Sequence, residues 1–130
     1  MNDQLSFYKA KLEYEIDSWD LNDSLTRGEN IKVIDARSNE AYQTEHIPGS
    51  INLPHRLISA ESTSDLDKNT LYISYCDGIG CNASTKGAYN LTKLGFKVKE
   101  LMGGLDWWKR DGYSTEGIRS AEGGKITCGC

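Results

Sequence analysis

Residues 71–94 read LYISYCDGIGCNASTKGAYNLTKL. The opening Leu71–Tyr75 is dominated by aromatic and branched apolar residues, which favours a strand. Asp77–Asn82 contains two glycines and has no helical periodicity, so it is predicted to be a loop. From about Ala83 to Leu94 the apolar spacing is that of a helix, with Gly95 as its C-terminal stop. The stretch therefore predicts a strand, a loop and a helix, with Cys76 where strand and loop meet.

Similar elements lie on both sides of this stretch. Short apolar runs predict further strands at Ile31–Asp35, Ile51–Leu53 and Phe96–Leu101. Helices are predicted at residues 4–16, at Asp20–Arg27, after an N-cap at Ser38 and before Pro48, and at Leu105–Arg110. Strands that alternate with helices predict an α/β fold with a mainly parallel sheet.

The composition indicates one soluble domain. The chain has 130 residues and a formal net charge of −4, which gives no sign of a basic face for nucleic acid. No apolar run approaches the ~20 residues needed to cross a bilayer, and the N-terminus lacks a signal-peptide core. We therefore expect a cytoplasmic protein with no nucleic-acid or membrane partner. Its expected parts are an N-terminal helical segment (1–28) of the same domain, a main body (29–113) and a flexible C-terminal tail (114–130).

Cys76 is the candidate reactive residue. Ligands bind at the carboxyl ends of strands in an α/β sheet, and a cysteine there faces the N-terminus of the following helix. The helix dipole and the free N–H groups stabilise a thiolate and would equally hold an anionic substrate. The glycines allow the loop backbone to curl round the sulfur. From position alone, a buried and inert thiol remains the alternative.

Several motifs together resemble the rhodanese homology domain. In order, they are Asp35-Ala36-Arg37, Tyr42, HIPGSINLP at residues 46–54, Cys76, and GGLDW at residues 103–107. The resemblance covers about residues 29–113 and implies a rhodanese-like three-layer fold with a parallel sheet of about five strands flanked by helices. It also implies a sulfurtransferase without cofactor or metal, in which a persulfide on Cys76 carries sulfane sulfur. The donor would be thiosulfate or a persulfide, and the acceptor a thiol or cyanide.

Carried over to this sequence, the substrate-binding loop is Asp77, Gly78, Ile79, Gly80, Cys81 and Asn82. Active rhodaneses often end this loop in an arginine, but no arginine lies between Cys76 and Leu94. This weakens the case for thiosulfate, because a guanidinium is the usual bidentate partner of such an anion. Arg56 and Lys86 are the candidate auxiliary cations. The sequence argues against the activity of the related Cys-x5-Arg phosphatases, because Asn82 stands where their arginine would supply charge.

Three further polar residues of the resembling motifs are expected to be structural. Asp35 and Arg37 bracket a strand end, and in the resembling family such residues hold loops together through hydrogen bonds and ion pairs. His46 precedes Ile47-Pro48 and is expected to be a structural hydrogen-bond donor in place of a catalytic base.

The remaining cysteines leave alternatives open. Cys81 lies five residues after Cys76, so a disulfide or a sulfur hand-off between them is conceivable, and so is simple packing at the helix start. Cys128 and Cys130 supply only half of a zinc site. They could relay sulfur, join two chains, or have no role.

Two other functions compete with sulfur transfer. Gly78-x-Gly80-x-x-Ala83, with Glu100 some twenty residues on, has the marks of a dinucleotide-binding fingerprint, but too few residues follow for the rest of that fold. A rhodanese-like domain could also bind partners without catalysis. The expected partners are a small-molecule or protein sulfur donor and a thiol acceptor, and a homodimer remains open.

Overall fold

The structure is a computed structural model that describes residues 2–120 and 122. Its helices are α1 (Asp3–Tyr14), α2 (Ser18–Thr26), α3 (Asn39–Thr44), α4 (Ala83–Lys93) and α5 (Gly104–Arg110), with a 3-10 helix at His55–Leu57. Its strands are β1 (Glu15–Ile16), β2 (Ile31–Asp35), β3 (Ile51–Asn52), β4 (Leu71–Tyr75) and β5 (Lys97–Leu101). Within these residues no helix has the length and apolar character of a membrane span.

The five strands form one parallel sheet in the order β1-β5-β4-β2-β3. β4 lies at the centre, where Tyr75 pairs with Asp35 of β2 and Ser74 pairs with Glu100 of β5. The carboxyl ends of β2 and β4 therefore lie side by side. The prediction of an α/β fold with about five parallel strands is confirmed.

Apolar side chains cover both faces of the sheet. The face that carries α2 and α5 is built from Ile16, Leu21, Val33, Ile47, Ile73, Tyr75, Leu101, Leu105 and Trp108. The face that carries α4 is built from Ile34, Leu53, Tyr72, Leu91 and Phe96. In β4, Tyr72 and Ile73 point to opposite faces, as the period of two in a strand requires. The three-layer arrangement is confirmed.

The N-terminal helix is shorter than predicted. α1 ends at Tyr14, and Glu15–Ile16 form the edge strand β1, in which Ile16 pairs with Leu101. Ile16 is buried, whereas Leu5, Tyr8 and Leu12 are exposed. The predicted helix over residues 4–16 thus combined a helix with the start of a strand. A two-residue strand is too short to show a periodicity of its own.

The sequence predicts a flexible C-terminal tail from residue 114, but residues 116–119 are hydrogen-bonded to the main body of the domain. Backbone hydrogen bonds join residues 116–119 to residues 43–46, beginning with a reciprocal pair between His46 and Glu116 at 2.8 and 2.9 Å. This long-range backbone pairing follows the end of α3, and composition alone does not reveal it. Residues 121 and 123–130, which include Cys128 and Cys130, lie outside the described residues.

Glu45 is the side-chain anchor of this attachment. One carboxylate oxygen accepts from the Thr115 hydroxyl at 2.6 Å, and the other pairs with the Lys109 ammonium at 2.8 Å. Burial raises the pKa of Glu45, but the hydrogen bonds from Lys109 and Thr115 outweigh it and hold the pKa below its usual value. The ionised form of Glu45 therefore stabilises the folded state.

We expect Glu45→Gln to lower the free energy of unfolding at neutral pH by about 1–2 kcal/mol, mostly through the buried hydrogen bonds because Lys109 is half-exposed. The pKa of Glu45 is lower in the folded state than its unfolded value of 4.5, so the ionised carboxylate stabilises the folded protein at pH values above 4.5. This contribution is lost as the pH falls through the pKa of the folded state. Urea unfolding between pH 7 and pH 3 should therefore show the two proteins converging in acid. A constant difference would contradict this, and the exposed Glu61→Gln is the control.

Candidate functional site

Cys76 is the first residue after the central strand β4. It is 1% exposed, and its sulfur is joined to that of Cys81 in a disulfide, with the two Cα atoms 6.3 Å apart. This separation lies within the ~4.4–6.8 Å that disulfides span. Cys81 is half-buried and lies near the end of the loop. The sulfur of Cys76 thus points towards the loop, and the disulfide that the sequence left open is present.

The N-terminus of α5 holds the start of the loop. The amide of Leu105 donates to the carbonyl of Cys76 at 2.9 Å, and the amide of Asp106 donates to the carbonyl of Asp77 at 2.8 Å. The first amides of a helix have no partner within it, so the loop carbonyls satisfy two of them. A Cβ on Gly104 would collide with the Cys76 carbonyl oxygen. This explains why glycine stands at the start of α5, where backbone groups hold the loop that follows Cys76.

The rest of the loop is shaped by its own glycines. Gly80 has φ +92°, a left-handed conformation that favours glycine. The carbonyl of Gly78 accepts from the amide of Cys81 at 3.2 Å, which closes a turn. Ile79, at the tip, is exposed, and Asn82 occupies the N-cap position of α4 without a side-chain hydrogen bond. The first amides of α4 therefore face the loop without a side-chain cap.

Asp35 and Arg37 form a buried ion pair beside this loop. The Arg37 guanidinium contacts both Asp35 carboxylate oxygens, the nearer at 2.8 Å, and also reaches Asp77 at 2.9 Å and the Glu45 carbonyl at 2.6 Å. Burial lowers the pKa of Arg37, but its hydrogen bonds and the charge of Asp35 outweigh it and raise the pKa above its usual value. Because Arg37 bonds across three segments, its contacts are those expected of a structural residue.

The Tyr75 hydroxyl completes this network. It donates to Asp35 at 2.7 Å and accepts from the amide of Ile47 at 3.1 Å. Burial and the neighbouring Asp35 charge raise the pKa of Tyr75 well above its usual value, so it remains a donor. From the sequence, Tyr75 is only a residue of a predicted strand; its role depends on its position opposite Asp35 in the adjacent strand.

His46 lies in a different part of the molecule. Its Nδ1 donates to the Tyr42 carbonyl at 2.6 Å, and its ring stacks on that of Tyr42 with centroids 3.8 Å apart. Its backbone forms the pair with Glu116 described above. His46 lines neither of the two cavities at the cysteine pair. Its contacts are with structural partners.

A cationic cavity of about 220 Å³ lies on one side of Cys81. Arg37, Arg56 and Asp77 contribute to its lining. Arg37 is already paired, whereas Arg56 forms no ion pair within residues 2–120 and 122. Lys86 does not line the cavity, but it is close to His55, which does. The pKa of His55 is lowered by burial and then by the positive charges of Lys86 and Arg56. Of the two candidate cations, Arg56 is the one that shares a cavity with the loop.

A second cavity, of about 470 Å³, lies on the other side of Cys81. Ile79, Met102 and Trp107 give it apolar walls, and three carboxylates, those of Glu15, Asp17 and Glu100, also line it. Glu100 accepts hydrogen bonds from the Ser84 and Thr85 hydroxyls at 2.8 and 2.6 Å. The acidic residue of the dinucleotide interpretation is thus engaged by the first turn of α4. This cavity leaves no signal in the sequence, because its walls come from segments far apart along the chain.

A protein family model and several known proteins are similar in sequence to this chain. A family model described as a rhodanese-like domain matches residues 19–111. The thiosulfate sulfurtransferase GlpE of Coxiella burnetii is 30% identical over 96 residues, which cover 72% of this chain and 82% of that protein. The HTH-type transcriptional regulator Rv0324 of Mycobacterium tuberculosis is 32% identical over 105 residues. Those residues cover 72% of this chain but only 45% of the regulator.

The similarity extends to solved structures. The BH2092 protein of Bacillus halodurans superposes with a TM-score of 0.87 at 39% sequence identity, covering 96% of this chain and 91% of that one. Since both chains are covered almost completely, the N-terminal elements α1 and β1 belong to the shared fold.

We expect Arg37→Lys to lower the free energy of unfolding by about 2–3 kcal/mol. Lysine keeps the positive charge, so the loss should be smaller than the ~3–5 kcal/mol that follows removal of one partner of a buried ion pair. It lacks the planar guanidinium, however, which binds Asp35, Asp77 and the Glu45 carbonyl at the same time. Arg27→Lys is the matched control, because Arg27 also pairs with two carboxylates but is exposed. Its effect should be close to zero. Equal losses in the two variants, measured by urea unfolding, would contradict the structural role of Arg37.

Proposed function

The chain belongs to the rhodanese-like domain family, and we propose that it is a sulfurtransferase that carries sulfane sulfur as a persulfide on Cys76. The reduced Cys76 thiolate attacks the outer sulfur of a donor and takes that sulfur. The remainder leaves as sulfite from thiosulfate, or as a thiolate from a persulfide. A thiol or cyanide then attacks the outer sulfur of the Cys76 persulfide and regenerates the thiolate. Loop residues 77–82 form the binding site in this proposal.

The position of Cys76 is the observation that carries this proposal. Its sulfur points towards the loop, as the bond to Cys81 requires. The uncapped start of α4 follows that loop, and such helix starts favour a thiolate and a bound anion. The relative GlpE is named a thiosulfate sulfurtransferase, which supports the chemistry proposed for this chain.

The choice of donor depends on the charges around the loop. Arg37 is paired with Asp35 and Asp77, so it has little capacity left for a substrate anion. Arg56 is exposed and lines the cationic cavity, which makes it the cation proposed to contact a sulfonate. An exposed and flexible cation binds more weakly than a buried and preorganised one. We therefore propose that a persulfide is a better donor than thiosulfate.

A domain that binds partners without catalysis is the second candidate. The absence of an arginine between Cys76 and Leu94 favours it. The two candidates differ in one observable, the uptake of sulfur by Cys76.

We expect Cys76 to gain the mass of one sulfur when reduced protein, freed of reductant, is exposed to glutathione persulfide. The test uses a variant in which Cys81, Cys128 and Cys130 are replaced by serine, so that Cys76 is the one remaining cysteine of the four and no other thiol of the chain can attack its persulfide. Intact-mass spectrometry should show the gain, its reversal by dithiothreitol, and its absence when Cys76 is replaced by serine as well. An unchanged mass with thiosulfate and with persulfide donors would favour the binding domain.

We expect thiosulfate to give a lower kcat/KM than glutathione persulfide in assays with cyanide as acceptor. Arg56→Gln should lower the thiosulfate value a further ~2- to 5-fold, since an exposed cation contributes up to ~1 kcal/mol to the binding of an anion. Arg27→Gln, at a distant exposed site, is the control. Thiosulfate values at or above those with persulfide would show that the loop needs no further cation.

A further inference from the structure

The two sulfurs of the loop differ in their accessibility. Cys76 is 1% exposed and lines neither the cationic nor the apolar cavity. Cys81 is half-buried and lines both. A molecule that enters from either side therefore meets Cys81 before it meets Cys76. The sulfur that the proposed function uses as carrier is the one behind it.

The backbone keeps the two cysteines within reach of each other. Amides of α5 bind the carbonyls of Cys76 and Asp77, and the amide of Lys86 in α4 binds the carbonyl of Asn82 at 2.9 Å. The turn between Gly78 and Cys81 shortens the segment between these fixed points. None of these hydrogen bonds involves a sulfur atom, so reduction of the disulfide leaves them in place. The Cys81 thiol of the reduced protein thus remains beside Cys76.

We propose that Cys81 is a second catalytic residue, which discharges the Cys76 persulfide as hydrosulfide. The Cys81 thiolate attacks the inner sulfur, the Sγ of Cys76, and forms the Cys76–Cys81 disulfide. The bond between Sγ and the outer sulfur breaks, and the outer sulfur leaves as HS⁻ with the bonding electron pair. The sulfane sulfur is reduced and the two thiols are oxidised, so the electrons balance. This inference rests on the proposed loading of Cys76 and adds a persulfide reductase activity to it.

The inner sulfur is favoured because it is the atom that Cys81 reaches in the structure. Thiolate exchange depends on which sulfur the nucleophile can approach, and the disulfide joins Cys81 directly to the Sγ of Cys76. A hand-off would require Cys81 to bond to the outer sulfur, which lies one atom further away. The position of Cys81 therefore favours release of sulfide over storage of sulfur on Cys81.

The accessible side of the disulfide determines how the cycle is reset. An external dithiol attacks the sulfur of Cys81, and Cys76 leaves as a thiolate. The second thiol of the reductant then attacks the mixed disulfide, which frees Cys81 and leaves the reductant as its own disulfide. Because Cys76 leaves first as a thiolate, the sulfur acceptor is regenerated in its reactive form.

The test uses the full chain with Cys128 and Cys130 replaced by serine, so that only the loop cysteines can react. Reduced protein is loaded with a small excess of glutathione persulfide and desalted, and the hydrosulfide released is measured per persulfide formed. We expect about one equivalent of hydrosulfide and one Cys76–Cys81 disulfide by peptide mapping. In Cys81→Ser and Cys81→Ala the persulfide should remain on Cys76, with sulfide release at least ~10-fold slower. Circular dichroism checks that both variants fold.

The possible results separate this inference from the proposed function. Equal release per persulfide with and without Cys81 would overturn the inference but leave sulfur transfer by Cys76 intact. Recovery of the sulfur on Cys81, without hydrosulfide, would overturn it in favour of a hand-off. Failure of Cys76 to load in any variant would overturn the inference and the proposed function together.

Discussion

The site depends on the ion pair and the hydrogen bond that compensate the buried carboxylate of Asp35. This carboxylate is fully buried at the end of β2, where an unpaired charge would be very costly. Arg37 and Tyr75 satisfy it from two directions, at 2.8 and 2.7 Å. Because Arg37 also reaches Asp77, this pair links the end of β2 to the first residue of the loop after β4. The arginine that compensates this buried charge thus also ties the start of the loop to the end of β2.

The fold was largely predictable because its main elements are long enough to show a period. The helix at 83–93 and the strands at 31–35 and 71–75 agree with the sequence to within one residue. The motifs from residues 46–54 and 103–107 then indicated how these elements assemble. β1 was missed because it has only two residues, and the attachment of residues 116–119 was missed because it consists of backbone bonds between segments about 70 residues apart. Bonds of that kind leave no pattern of side chains.

The candidate site was predictable in its residues but not in its connections. The end of β4 and the glycines after it indicated Cys76 as the reactive position. Whether Cys81 reached it could not be decided from spacing, because a loop with Gly78 and Gly80 can adopt many conformations. The contact between Arg37 and Asp77 spans 40 residues of sequence. It depends on the pairing of β2 with β4, which only the assembled sheet provides.

The hydrogen bonds between the amides of α5 and the carbonyls of the loop have a consequence for how such sites evolve. The position of the loop is set mainly by amides of α5 that bind carbonyls of the loop, and these bonds do not depend on which side chains the loop carries. Gly78 and Gly80 are constrained by a close approach and by a left-handed backbone. Ile79, Cys81 and Asn82 carry neither constraint. A substitution at one of these positions, such as Cys81, can therefore change the chemistry of the loop while the backbone that holds it stays the same. A single mutation in the gene is enough for such a change.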